Sequence, residues 1–363
     1  MTRTLLVRLI TLGDPERLSG GYLYHRRLAQ LAPEHGAELR FVSVPEWPFP
    51  LPALAGGAVL RRALGPVAAP AADVVVLDSI AAGFLGPWLA LRRPPVPLVG
   101  SLHQPPGGID HGRVRRAVQA PLDRLAYRRA ALLLVASQAL AEQVETAGLL
   151  ASRIRVVPPG RDVAAAPGAP AGDLRAGRRA ALLCVANWVE RKGILETLEA
   201  LARLDACAAT LHLAGDDRAD PRYAAAVRAR LSRRDLAGRV VVHGPLPVEA
   251  IAALYQAADV FVLPSLREPY GTVWGEAMAA GLPVVGWRAG NLPYLADERE
   301  AVLVPPGDVE GLSRALDLLA GDEPLRRRMG EAARRRARQR PTWRETAGSF
   351  FGWLREAAEG GRR

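Results

Sequence analysis

Short β-rich runs alternate along this chain with stretches of helical periodicity, and that alternation constrains the fold more than any other feature. In the first half the runs are Leu5–Ile10, Leu39–Val44, Val74–Leu77, Leu98–Leu102, Ala131–Ala136 and Ile154–Val157. Between them lie helical patterns such as Gly21–Ala32 and Val114–Ala130. A second series follows: Ala181–Ala186, Thr210–Ala214, Val240–His243, Val260–Leu263, Pro283–Trp287 and Val302–Val304. Strands joined through helices pair in parallel, so the expected class is α/β with parallel sheets. The stretch from Val163 to Gly172 is rich in Ala, Pro and Gly and reads as a connector. The expected division is residues 1–165, a linker at 166–180, residues 181–340, and a last helix at 341–363.

A chain of 363 residues accommodates two such units. Its hydrophobic fraction of 49% and charged fraction of 23% are those of a globular protein. The net charge of +11 favours anionic partners, among them phosphorylated small molecules, nucleic acid and anionic membrane surfaces. The two cysteines, Cys184 and Cys207, have neither metal nor disulfide spacing, which points to a reducing, cytoplasmic compartment. The amino terminus reads as a strand and not as a signal peptide. The longest apolar stretch, Val74 to Leu91, is interrupted by Asp78, Gly83, Gly86 and Pro87, and reads as strand, turn and short helix.

Near the carboxyl end, Thr342-Trp343-Arg344-Glu345 has capping-box spacing, and Phe350, Phe351, Trp353 and Leu354 form an apolar stripe expected to pack. The arginine run Arg334 to Arg340 reads as a solvated helix face.

The chemistry concentrates in two segments. A single lysine, Lys192, survives among 48 basic side chains, in Arg191-Lys192-Gly193 just past a strand. An ammonium is a compact point charge that reaches a phosphate from one side, a task the planar guanidinium does differently. The second segment runs from Leu263 through Glu268, Tyr270, Gly271, Thr272, Val273 and Glu276 to Gly281-Leu-Pro-Val-Val. It predicts a strand, a loop, and a helix that starts near Gly271-Thr272 and stops at Gly281. The first-turn N–H groups of Thr272 and Val273 then form an anion site. Glu268 and Glu276 can accept hydrogen bonds from ligand hydroxyls. An anion-binding helix end beside two such acids suits a nucleoside diphosphate sugar.

Glu268 and Glu276, with seven residues between them and followed by Ala-Met-Ala-Ala-Gly-Leu-Pro-Val-Val, resemble the signature of the retaining glycosyltransferases of family 4. Arg191-Lys192-Gly193, Leu213-Ala-Gly-Asp-Asp217, Val302-Leu-Val-Pro-Pro-Gly-Asp308 and Ser19-Gly20-Gly21-Tyr22 resemble further elements of the same family, so the likeness covers nearly the whole chain. The resemblance implies the GT-B fold: two facing Rossmann-like domains, with the active site in the cleft between them. It assigns the acceptor to the first domain, the nucleotide-sugar donor to the second, and the last helix to packing on the first.

Carried over by position, Lys192 and Arg191 bind the donor diphosphate. Glu276 contacts the ribose, and Glu268 lies at the reacting centre. Gly20 and Gly21 let backbone amides approach the phosphate, and His103 matches an active-site histidine. Tyr270, Gly271, Thr272 and Val273 complete the donor-binding segment. Two departures stand out. Asn187 sits where many members have an arginine, and Ala289-Gly290-Asn291 replaces an expected Gly-Gly at the sugar.

The implied reaction is transfer from a nucleoside diphosphate sugar to an acceptor hydroxyl with retention of configuration. No cofactor and no obligatory metal are expected, since the cations and helix end neutralise the diphosphate and no Asp-x-Asp motif is present. The acceptor stays open among small molecule, saccharide and lipid. A membrane-surface contact at the inner face stays open too, suggested by Phe84, Trp88, Arg92 and Arg93. An epimerase or phosphorylase on the same fold is the alternative. A nucleic-acid-binding protein is a remote one, because the arginine clusters lack aromatic or recognition-helix context. His25, His35, His111, His212 and His243 carry no expected role.

Overall fold

A computed structural model describes residues 3–16, 20–65, 72–91, 94–161 and 172–360. Ser19, Arg92, Arg93 and the connector residues 163–171 lie outside the described residues. The chain divides into two compact units, Met1–Gly160 with Pro341–Arg363, and Arg161–Arg340.

The first unit holds β1 (Leu5–Leu12), β2 (Ala37–Val44), β3 (Val74–Asp78), β4 (Leu98–Leu102), β5 (Leu132–Val135) and β6 (Ile154–Val156). They form one parallel sheet in the order β2-β1-β3-β4-β5-β6. The chain steps from β1 outward to β2, then returns to the other side of β1 for β3. All five residues of β3 and of β4 are buried, as expected of strands covered on both faces. The apolar stretch from Val74 resolves into β3 and the helix Ala82–Leu91.

The helix Trp343–Gly360 belongs to this unit. Ala347, Phe350, Phe351, Leu354, Ala357 and Ala358 join Leu5, Val7, Leu28 and Val76 in its core. Burying each of the larger side chains contributes about 2 kcal/mol. The capping box closes reciprocally: Thr342 N–H donates to Glu345 Oε2 at 2.7 Å, and Glu345 N–H to Thr342 Oγ1 at 3.3 Å.

The second unit holds β7 (Ala180–Val185), β8 (Ala209–Ala214), β9 (Val240–Gly244), β10 (Val260–Val262), β11 (Val284–Trp287) and β12 (Ala301–Val304). Their parallel order is β12-β11-β10-β7-β8-β9. The chain builds outward from β7 to β9, then reverses to place β10 on the other side of β7. Trp274, Trp287 and Phe261 are fully buried in its core.

Two expectations need correction. Residues 172–180 are not connector. Leu174 is buried in the second core, Arg175 pairs with Asp259 through bonds of 2.6 and 2.8 Å, and Ala180 opens β7. One leucine in an Ala- and Gly-rich stretch gives too weak a periodic signal to reveal this. Nor is the arginine run simply solvated: Arg334 donates to the Ala280 carbonyl at 2.7 Å, and Arg336 to the Leu295 carbonyl at 3.3 Å. Arg334 thereby satisfies a carbonyl at the end of the helix Thr272–Ala280.

Candidate active site

The expected site residues fall into two groups, one in each unit. In the second unit, the reversal of strand order lies between β7 and β10. Open α/β sheets bind ligands outside the carboxyl ends of strands at such a point. The loop after β7 carries Arg191 and Lys192, and the loop after β10 carries Glu268. These loops are tied together: the Arg191 carbonyl accepts from Leu266 N–H at 2.8 Å and from Ser265 Oγ at 3.1 Å. Gly193 permits the approach. It adopts φ +70°, and a Cβ there would collide with the Pro264 carbonyl.

Lys192 and Arg191 both pair with Oε2 of Glu268, Arg191 at 3.2 Å. Arg191 also donates to the Arg267 carbonyl at 3.0 Å. The Lys192 and Glu268 side chains are mostly buried, at 11% and 15% exposure, so their interaction is weakly screened. Two cations on one carboxylate leave a net positive charge.

The helix Thr272–Ala280 begins as the spacing predicted. Gly271 is its N-cap at φ +83°, and no side chain caps the first turn. A Cβ at Gly271 would overlap the buried ring of Trp274, whose Nε1 donates to the Leu263 carbonyl at 3.3 Å. Thr272 is exposed and Val273 half-buried. Glu276, one turn further, accepts from the Tyr255 hydroxyl at 3.0 Å. Burial and that carboxylate hold the Tyr255 phenol protonated well above its ordinary range.

Tyr270 is buried, and its hydroxyl and ring face are engaged by Arg340, whose guanidinium carbon lies 5.0 Å from the ring centre. Asn187 is exposed, and its Oδ1 accepts from Asp216 N–H at 3.3 Å, linking it to the loop after β8. Asn291 has a role its sequence gave no sign of. Its N–H donates to the Glu268 carbonyl at 3.0 Å and its Nδ2 to the Tyr270 carbonyl at 2.8 Å, so it clamps the loop that carries both residues.

In the first unit the strand order reverses between β1 and β3. Gly20 and Gly21 open the helix Gly20–Leu31 just after β1, and a Cβ on Gly21 would rest 3.6 Å from the His103 ring. His103 follows β4. Its Nε2 lies 3.2 Å from Nε2 of His25, and Tyr24 packs edge-on against it at 4.6 Å. His25 Nδ1 lies 3.4 Å from Asp78 Oδ2, which also accepts from Thr11 Oγ1 at 2.7 Å. Burial and the neighbouring His25 push the His103 pKa down to about 3, so the ring is neutral near pH 7. For Asp78, burial alone would raise the pKa, but the His25 and His103 rings and the Thr11 hydroxyl together outweigh it and the carboxyl is held below its ordinary range. His25 and Asp78 have no motif around them; burial of a helix histidine beside a strand-end aspartate is visible only in the fold.

Comparison with known proteins bears on the family and the fold. Residues 172–336 match the family model described as Glycosyl transferases group 1, and residues 3–160 match that of the Glycosyl transferase 4-like domain. The chain belongs to the group 1 glycosyltransferases of family 4. The D-inositol 3-phosphate glycosyltransferase of Corynebacterium diphtheriae is 43% identical over 99 residues, 27% of this chain and 23% of that protein. The protein of the same name from Xylanimonas cellulosilytica is 29% identical over 295 residues, 75% of this chain and 66% of that protein. The matches thus span from about a quarter to about two thirds of those relatives. Among solved structures, sucrose-phosphate synthase from Thermosynechococcus elongatus superposes with a TM-score of 0.78 at 21% identity, covering 97% of this chain and 98% of that one. Anabaena HepE in complex with UDP-glucose gives 0.78 at 20% identity, covering 97% and 100%. The fold is GT-B. Among the described residues, no helix is long and apolar enough to cross a membrane.

Proposed function

We propose that this glycosyltransferase moves a sugar from a nucleoside diphosphate donor to an acceptor hydroxyl with retention of configuration. The observation that carries the reading is the convergence of Lys192 and Arg191 on Glu268 at the strand reversal of the second sheet, beside an uncapped helix end. In this reading the diphosphate lies against Lys192, Arg191 and the first-turn N–H groups of Thr272 and Val273. Negative charge grows on it as the glycosyl bond breaks, so these donors act more strongly in the transition state than on the bound donor. The arrangement needs no metal, because cations and helix end already oppose the diphosphate charge. Glu276, held by Tyr255, accepts from ribose hydroxyls, and Glu268 sits at the reacting sugar. Gly20, Gly21 and His103 keep the roles that the family resemblance assigns them.

Calorimetric titration with UDP, GDP, ADP and dTDP, wild type beside Lys192→Ala, tests the donor site. Selective binding of one nucleotide, lost in the variant, supports the reading; no binding to any of them by wild type counts against it. Product analysis with and without acceptor separates a transferase from an epimerase or phosphorylase. The relatives' names make D-inositol 3-phosphate a candidate for the acceptor panel.

A second reading adds a membrane-surface acceptor. Trp47, Leu51, Leu54, Trp88, Leu91, Val114 and Val118 are exposed on the first unit. Their segments are contiguous: Trp88 Nε1 donates to the Ala53 carbonyl at 2.8 Å, Phe49 packs on Phe84, and Arg115 lies over Phe49. Exposed Arg61, Arg62 and Arg113 add positive charge on these segments. Flotation with anionic liposomes tests this; absence of association at low salt removes it.

A further inference from the structure

The buried residues Thr11, Asp78 and His25, which lead to the half-buried His103, lie outside every sequence motif, and the proton positions along this line follow from its geometry. Thr11 and His25 are 0% exposed and Asp78 is 2% exposed. The Asp78 carboxylate accepts from Thr11 Oγ1 at 2.7 Å on one oxygen and from Ile80 N–H at 3.3 Å on the other. His25 Nδ1 faces the first of these oxygens, at 3.4 Å, and has no closer polar partner among the described residues. A bare nitrogen against a buried carboxylate would set two lone pairs against each other, so Nδ1 carries the proton. When the His25 ring carries this one proton, its other nitrogen, Nε2, is an acceptor. It lies 3.2 Å from His103 Nε2 and 3.0 Å from Ser101 Oγ. Two nitrogens at that distance share one hydrogen, and His103 must supply it. The backbone N–H of His103 donates to Ser79 Oγ at 3.3 Å, which holds the loop, and the Tyr24 ring packs edge-on against the imidazole.

We infer that Asp78 and His25 are positioning residues that fix His103 as its Nε2–H tautomer, leaving the lone pair of Nδ1 as a hydrogen-bond acceptor for a substrate hydroxyl. The use of that lone pair rests on the transferase reading; the tautomer does not. An aspartate thus acts on the substrate through two imidazoles, as outer partners orient ligating and catalytic histidines generally.

Asp78→Asn makes the inference sharp. The Ile80 N–H requires an acceptor, so the amide oxygen takes that side and the amide NH2 turns toward His25. His25 Nδ1 must then accept, its Nε2 becomes a donor, and His103 flips to the Nδ1–H form. The substrate-facing acceptor becomes a donor with almost no change in shape.

The experiment is long-range proton–nitrogen NMR on protein with 15N-labelled histidine, His103 being assigned by loss of its signals in His103→Asn. The wild type is expected to show a protonated Nε2 and a bare Nδ1 on His103, and Asp78→Asn the reverse. An Nδ1–H tautomer in the wild type overturns the inference, whether or not the variant folds. In turnover, Asp78→Asn is expected to lower kcat about 10- to 100-fold, the effect of one lost charge-free hydrogen bond with its unpaired partner. Calorimetric affinity for the donor nucleotide should stay unchanged. A wild-type tautomer as inferred with no nucleotide binding at all would instead overturn the transferase reading alone. A tautomer as inferred with kcat unaffected in a folded, flipped Asp78→Asn would overturn the positioning role.

Discussion

Oε2 of Glu268 lies 3.2 Å from Nη1 of Arg191, a residue 77 positions earlier in the chain. The adjacency of β7 and β10 brings them together, and Lys192 pairs with the same oxygen. The cations and the carboxylate therefore form one electrostatic unit. Removing any member changes the others' environment.

Lys192→Ala and Glu268→Gln are each expected to lower turnover about 100- to 1000-fold, the usual effect of losing one preorganised charge-stabilising group. Circular dichroism should be unchanged, because Arg191 still pairs with Glu268 in the first variant. Near-normal transfer by both would sink the site assignment.

Gly193→Ala is expected to destabilise the protein and reduce donor affinity together. The residue holds a left-handed conformation that costs an alanine about 1–2 kcal/mol, and the added methyl would displace the Pro264–Leu266 loop from Arg191. Thermal denaturation and nucleotide titration check this. A variant with lowered Tm and intact affinity would show that the loop contact does not set the site.

Gly275→Ala should change sign with its background. Alanine inside a helix is favoured over glycine by about 1 kcal/mol, yet a Cβ at Gly275 would overlap the Arg340 guanidinium. The substitution is expected to lower Tm in the wild type and to raise it in Arg340→Ala. Equal effects in both backgrounds, read by calorimetry, would disprove this coupling.

Asp123 makes the first unit sensitive to pH. Burial pushes its pKa up from 3.8 to about 7, against the Gly107 N–H that donates to it at 2.7 Å. A raised carboxyl pKa means that the folded state binds the extra proton between these two values. Stability from this group is thus fully present below pH 3.8 and declines as pH rises toward 7. Asp123→Asn, which cannot ionise, should flatten that decline. An unchanged slope of denaturation midpoint against pH between 4 and 7 would refute it.

Phe350→Ala is expected to cost about 3–5 kcal/mol, because the ring is fully buried in the core of the first unit. Two-transition calorimetry should show only the first unit's melting lowered.

Much of the fold is legible along the chain. Each of the twelve strands among the described residues falls within two residues of the run that predicts it, and the helix start at Thr272 follows from Gly271 and the preceding strand. Local signals of this kind are carried by neighbouring residues: apolar runs, glycines with positive φ, and the Thr342–Glu345 cap. Residues 172–180 carry no legible sign of their place in the second unit, because one buried leucine has no periodic company. The role of Asn291 was hidden because its two bonds reach loop residues 21 and 23 positions away.

The sequence by itself determined the α/β class, the parallel sheets, and the candidate cations and carboxylates, since residue type and spacing are local properties of the chain. Only the tertiary structure decided which of them meet. The order β12-β11-β10-β7-β8-β9 puts Lys192 on Glu268, and β2-β1-β3-β4-β5-β6 puts Thr11 beside Asp78 under His25 and His103. Strand order is chosen by the burial of whole faces, a long-range energy summed over both layers of helices, and no short stretch of residues encodes it.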